Sequence, residues 1–316
     1  RGGSADETDK EAGISHVFEH MLFKGTGKRT VGELASMIES VGGDINAYTS
    51  FDNTVYHLTV PSRHFATGLD VIADAIQNSA FDPDELKKEL EVVLEEIRMN
   101  EDSPGRTMYK SILRNAYTTH PYRRPVIGSQ ETVSSFTRAQ ILSFFRRWYV
   151  PNNMTLVISG DVDGAGALSE VKKAFRGFKK AEDPHRKRPL EPPQKAIKTE
   201  ILSRPIKDAH LGLAFHIPSL KDPDVYALDV AEVILGGGET SRLYKKLKLE
   251  KSLVHGVSSY GMSLKDPGLF FITAVLEPGN IDPAISETIS ELERLKHEGP
   301  DHEELGRAKF NIESDF

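Results

Sequence analysis

The residues of this chain with the most chemistry in them are His16, Glu19 and His20, in the stretch His16-Val17-Phe18-Glu19-His20. Histidines four apart lie on one face of a helix, one turn apart, so both imidazoles can point at a single metal ion. Glu19 is three residues from His16 and stays near the same face. It sets a carboxylate beside a metal-activated water without using it as a ligand, the arrangement of metal-assisted hydrolysis. A catalytic zinc wants three protein ligands and one open position, so a third ligand has to come from elsewhere in the chain.

The segment Asp84–Asn100 reads DELKKELEVVLEEIRMN, with Pro83 at its start and Asp82 as N-cap, which predicts a helix over 83–100. Leu86, Leu90, Val93 and Ile97 form its apolar stripe. Glu89 and Glu96 lie seven apart, two turns along another face, and Glu96 follows His20 by 76 positions. Spacing alone does not separate Glu96 from Glu91 or Glu95, and most glutamates on such a helix form a solvated face.

The order H-x-x-E-H is the reverse of the common H-E-x-x-H and is that of the inverted zincins. Followed about 76 residues later by a glutamate within E-x6-E, it resembles the pitrilysin family, which includes insulin-degrading enzyme and the mitochondrial processing peptidase. The likeness extends to SADETDKEAGISHVFEHMLFKGT, GGDINAYTSFDNTVYHLTV, HPYRRPVIGSQETV and YVPNNMTLVISGDV. The resemblance implies one zinc per chain held by His16, His20 and Glu96, with Glu19 as general base and then general acid in amide hydrolysis. It implies that Glu89 orients a ligand histidine. It also implies that residues 42–49 form an edge strand accepting an extended peptide, with Asn46 and Ala47 in the substrate-contacting positions. One departure stands out. The family carries an arginine and a tyrosine that help hold the substrate carbonyl; aligning LYKKLKLEKSLVHGV places Lys248 and His255 there. Lysine lacks the planar fork of arginine. The missing pair is therefore expected from a second half-shell, in the same longer chain or in a homologous subunit, closing a chamber around a peptide or unfolded protein.

The elements that must position these residues mix without a regular β-α-β repeat, which predicts an α+β fold. Helices are expected over 12–23, 31–41, 65–78, 83–100, 104–115, 137–149 and 166–175, and strands over 43–49, 52–60 and 154–159. A Pro-rich stretch, 182–196, divides a catalytic domain, 1–181, from a second domain, 197–316. Beyond it, strands are expected over 208–217, 254–261 and 268–276, and helices over 224–235, 240–249 and 281–297. Gly236-Gly237-Gly238 reads as a helix end and turn, not as a phosphate loop. HLTVP then GLDVIADAI is echoed by AFHIP then ALDVAEVIL, a weak internal repeat. The resemblance strengthens it, because the family is built from duplicated α/β sandwich domains with helices packed on a mixed sheet. The second half has no counterpart of the H-x-x-E-H helix.

The chain has 316 residues, 38% apolar and 28% charged, the composition of an ordinary globular protein. Its net charge of −7 argues against a nucleic-acid partner. No apolar run is long enough to span a membrane. It has no cysteine, so neither a disulfide scaffold nor thiolate chemistry is available. The single basic run, His185-Arg186-Lys187-Arg188, sits among prolines and reads as a solvated linker. Arg1-Gly2-Gly3-Ser4 resembles mid-strand and GRAKFNIESDF stops inside a helix, so the chain reads as a segment of a longer one. The motif flanks favour a bacterial periplasmic or cytoplasmic setting, with an organellar matrix as the alternative. Two other functions fit the same fold or triad: a non-catalytic structural or processing-complex subunit, resembling the core proteins of respiratory complexes, and a different metal hydrolase.

Overall fold

The computed structural model describes residues 2–184 and 187–314. They form two compact units: residues 1–102 with 117–192, and residues 103–116 with 193–316. The division falls inside the Pro-rich stretch. The helix over 104–116, which lies within the 1–181 segment by sequence, packs with the second unit.

The first unit holds α1 (Ile14–Leu22), α2 (Glu33–Glu39), β1 (Asp44–Thr49), β2 (Thr54–Thr59), α3 (Phe65–Asn78) and α4 (Pro83–Asp102). The second unit takes α5 (Pro104–Ala116), and the first resumes with α6 (Gln130–Ser134), α7 (Arg138–Trp148) and α8 (Gly164–Ala174). β1 and β2 pair antiparallel, from Asp44 opposite Thr59 to Thr49 opposite Thr54. The core gathers one face from each helix: Val17, Phe18 and Met21 of α1, Val93 and Ile97 of α4, Ile141 and Phe144 of α7. These are the i, i+3, i+4 positions of amphipathic helices, and their burial drives the packing.

The second unit places β3 (Ala209–Ile217), β4 (Gly256–Met262) and β5 (Gly268–Leu276) in an antiparallel sheet of order β3-β5-β4. Helices α9 (Val225–Gly236), α10 (Ile281–Glu298) and α11 (His302–Ser314) complete it, with a π-helix over Tyr244–Glu250. Tyr109 of α5 lies on Phe271 of β5 at 5.5 Å between ring centroids. The echoed segments fall on the same device in both units, a strand followed by a helix: β2 then α3, and β3 then α9.

Four local expectations differ from what is found. Residues 154–159 carry strand-like MTLVIS but pair with nothing among the described residues, and Val157 is 79% exposed. The expected helix over 240–249 is mostly π-helix. Gly2 and Gly3 lie in no strand, and a 3₁₀ turn begins at Ser4. Arg188 of the basic run is not solvated: its guanidinium pairs with Asp6 at 3.0 Å and Asp52 at 2.5 Å, and its side chain is 9% exposed. The run's His185 and Arg186 lie outside the described residues. The glycine triplet behaves as expected, ending α9 at Gly236 with Gly237 as its cap.

Candidate metal centre

α1 buries Ile14, Val17, Phe18, Met21 and Leu22 and leaves His16, Glu19 and His20 half-exposed on its other side. Its N-terminus is fixed by two devices. Gly13 is the N-cap with φ +95°, and a Cβ there would meet the Ile127 carbonyl oxygen at 2.6 Å. Gly128, with φ +83°, makes the reciprocal approach to the Ala12 carbonyl oxygen. Only residues without Cβ allow these backbones to touch. The buried Glu7 carboxyl group then accepts the N–H groups of Gly13 and Ser15, each at 2.8 Å, which satisfies donors that the helix start leaves open. Burial pushes the Glu7 carboxyl up to about 8, against the downward pull of those two bonds.

α4 starts as expected: Asp82 Oδ1 accepts the N–H groups of Asp84 at 2.9 Å and Glu85 at 3.2 Å. Buried Leu86, Val93 and Ile97 hold it in the core, with Leu90 packed at the edge. Glu89 is buried too and turns towards α1.

The structure brings His16, His20 and Glu96 together. Glu96 Oε2 lies 3.7 Å from His16 Nε2 and 3.9 Å from His20 Nε2, and the three donor atoms fall within 4.8 Å of one another. These separations are too long for hydrogen bonds, which close at about 2.7–3.2 Å. Around a tetrahedral ion with bonds near 2.0–2.1 Å, neighbouring ligands stand about 3.3 Å apart. Two imidazole nitrogens and one carboxylate oxygen are the donor set of a zinc ion, and a contraction of about half an ångström or more would bring them to that spacing. Of the three glutamates that spacing left open, Glu96 is the one in this group among the described residues.

The protonation states suit ligands. Burial, and then the neighbouring His20, lower the His16 pKa to about 4, so this imidazole is neutral at pH 7. His20 Nδ1 lies 3.2 Å from Glu89 Oε2. A carboxylate only accepts, so Nδ1 carries a proton, and in the neutral ring this leaves Nε2 as the ligating nitrogen on the side of Glu96. Lys24 Nζ neutralises the other Glu89 oxygen at 2.6 Å.

Glu19 is outside the donor group. Its Oε2 accepts a hydrogen bond from the Thr49 hydroxyl at the end of β1. Burial raises its pKa, with Glu96 adding to the rise, while the Thr49 bond and His20 oppose it. Behind it, the half-buried phenols of Tyr56 and Tyr149 are bonded to each other. Lys24, Thr49, Tyr56 and Tyr149 were not singled out from sequence. All four sit inside stretches that carry the family likeness, Lys24 beside the H-x-x-E-H helix, Thr49 and Tyr56 in 42–60 and Tyr149 at the start of 149–162, but no spacing rule marks them as site residues.

Asn46 and Ala47 lie mid-way along β1, opposite His57 and Tyr56. The Asn46 side chain is exposed, and its Oδ1 accepts the Ala47 N–H at 2.8 Å. β1 has one strand neighbour among the described residues. Lys248 and His255 belong to the second unit. Lys248 Nζ stands 4.6 Å above the Tyr244 ring, and His255 faces Asp208 and Glu277.

Comparison with known proteins places the chain in a family. A family profile described as Insulinase (Peptidase family M16) matches residues 1–130, and one described as Peptidase M16 inactive domain matches residues 135–312. A protein of Rickettsia felis described as an uncharacterized zinc protease is 32% identical over 99% of this chain and 75% of its own length. One of Bacillus subtilis with the same description is 34% identical over 97% of this chain and 74% of its own. The crystal structure of a protease from Helicobacter pylori superposes with a TM-score of 0.94 at 29% identity, covering all of this chain and 78% of that one. The half matched by the inactive-domain profile is the half without the H-x-x-E-H helix. By motif, fold and relatives, the chain belongs to the M16 family of peptidases, the pitrilysin and insulinase family.

Proposed function

We propose that this chain is a zinc endopeptidase acting on peptides or unfolded segments, with His16, His20 and Glu96 as the metal ligands. The observation that carries the reading is the convergence of these three donor atoms at 3.7 and 3.9 Å, with the Glu19 carboxylate beside them and outside the set. A bound zinc supplies a Lewis acid and lowers the pKa of water at its open position to about 7. Glu19 takes a proton from the attacking water and returns it to the leaving amide nitrogen, so that hydroxyl joins the carbonyl carbon as the C–N bond breaks. Glu19 is half-buried with Oε2 held by Thr49, which leaves Oε1 for that transfer. Glu89 keeps His20 in the tautomer that presents Nε2. β1 offers backbone groups for strand addition of the substrate, with the Ala47 N–H released from Asn46 as the peptide docks.

Lys248 and His255 in place of arginine and tyrosine support a division of labour. The groups that hold the substrate carbonyl come from a second half-shell, in a longer chain or a homologous subunit. Glu19→Gln tests the reading: cleavage of an unfolded peptide should vanish while zinc stays bound. Cleavage at the wild-type rate by the zinc-loaded variant would remove Glu19 from the mechanism.

A further inference from the structure

One end of the second sheet carries a cluster that peptide hydrolysis does not use. Asp208 immediately precedes β3, His255 immediately precedes β4, and Glu277 immediately follows β5. The register gathers them, because Ala209 pairs with Leu276 and Gly256 with Val275. The starts of β3 and β4 therefore flank the end of β5. The His255 N–H donates to the Val275 carbonyl at 2.7 Å, which fixes that corner.

His255 Nε2 lies 3.8 Å from Asp208 Oδ1 and 3.7 Å from Glu277 Oε1, and the three donor atoms fall within 4.8 Å of one another. As at the first centre, the distances are too long for hydrogen bonds and close to the ligand spacing around a small divalent ion. Two carboxylates at this separation repel each other unless a cation lies between them. Asp208 Oδ1, one of the converging atoms, is itself shielded from solvent and accepts no hydrogen bond, although the side chain as a whole is 34% exposed. A buried acceptor in that state calls for a partner.

We propose that Asp208, His255 and Glu277 form a second metal site for a divalent first-row ion, zinc above all, separate from the His16 centre. One imidazole and two carboxylates suit zinc, and their charge of −2 offsets that of the ion. The outer side of the cluster is open to solvent, so water completes the coordination. The site is structural: it clips together the ends of three strands, adding to the backbone ladder and to the bond that Asn280 Nδ2 donates to the Leu253 carbonyl at 3.1 Å. His255 thus has a use of its own where the family's tyrosine would stand. The inference does not depend on the chain being a peptidase.

The test counts zinc by elemental analysis after the chelator-stripped full chain is dialysed against micromolar zinc. Circular dichroism confirms that each variant is folded. His20→Ala should keep one zinc per chain, while His20→Ala with His255→Ala, or with Glu277→Gln, should keep none. In the wild-type background the same two second-site substitutions should each lower the count from two to one. Zinc should also raise the melting temperature of His20→Ala and leave that of the double variants unchanged. A folded His20→Ala protein that binds no zinc, or a count unaffected by His255→Ala and Glu277→Gln, would overturn the second site. Failure of the first centre alone reads differently: one zinc in wild type, insensitive to His20→Ala and lost with His255→Ala.

Discussion

Replacing Glu89 by alanine isolates how much the support of a ligand contributes. Glu89 touches no metal position. It holds the His20 Nδ1 proton at 3.2 Å and is itself neutralised by Lys24 at 2.6 Å. Without it, His20 can rotate and can take the tautomer that points an N–H where a lone pair is needed. Loss of such a partner lowers metal affinity about 10–100-fold, or about 1.4–2.7 kcal/mol. The effect on folding should be smaller. Lys24 is 32% exposed and re-enters solvent once its partner is gone, so the usual cost of an abandoned buried charge is avoided. Glu89→Gln retains an acceptor oxygen and should cost less than about tenfold in affinity. The assay is zinc titration in competition with a chromophoric chelator, in the His255→Ala background so that only the first centre reports. Zinc binding by Glu89→Ala within about twofold of the parent, in a folded protein, would refute the supporting role.

Further perturbations follow from other contacts. Gly13→Ala or Gly128→Ala puts a Cβ within 2.6 Å of a carbonyl oxygen at a positive φ, and each should lower stability by about 2–4 kcal/mol in urea unfolding; an unchanged midpoint would contradict the close approach. Thr49→Val removes the donor to Glu19 and should reduce kcat/KM about tenfold at constant zinc content. Glu191 accepts the N–H groups of Thr118, Thr119 and His120. Burial pushes its carboxyl up, but the Thr118 hydroxyl and these N–H groups outweigh that and hold it down to about 2. A depressed carboxylate stabilises the fold above its unfolded pKa near 4.5 and loses that contribution as pH falls towards 2. The protection factors of the amides at 118–120, taken against their intrinsic exchange rates, should therefore fall over that window, and Glu191→Gln should remove that fall.

Much of the centre was legible because it is local. His16, Glu19 and His20 share one helix turn, and the apolar positions between them state which side is buried. Asp82 and Pro83 announced the second helix in the same way. Glu96 was not separable from Glu91 and Glu95 by spacing, since a helix rotates through neighbouring positions and only the packing of α4 on α1 decides which carboxylate arrives. The family resemblance supplied that choice, and the structure sets Glu96 beside His16 and His20. Lys24 and Tyr149 lie in stretches that carry the family likeness, but their part in the site is set by packing and not by a local spacing. Strand propensity also misled at 154–159: MTLVIS favours extended backbone, but a ladder needs a neighbour, and none adjoins it among the described residues. Arg188 failed the other way. A basic, Pro-rich context suggests solvent, yet two distant aspartates, Asp6 and Asp52, draw its guanidinium into the first unit.

The most direct measurement is an anomalous difference map recorded on either side of the zinc absorption edge, from crystals of the zinc-loaded chain. The account predicts a peak bounded by His16 Nε2, His20 Nε2 and Glu96 Oε2, with Glu19 outside the coordination sphere. No peak there at saturating zinc, or a peak that takes Glu19 as a ligand, would contradict it.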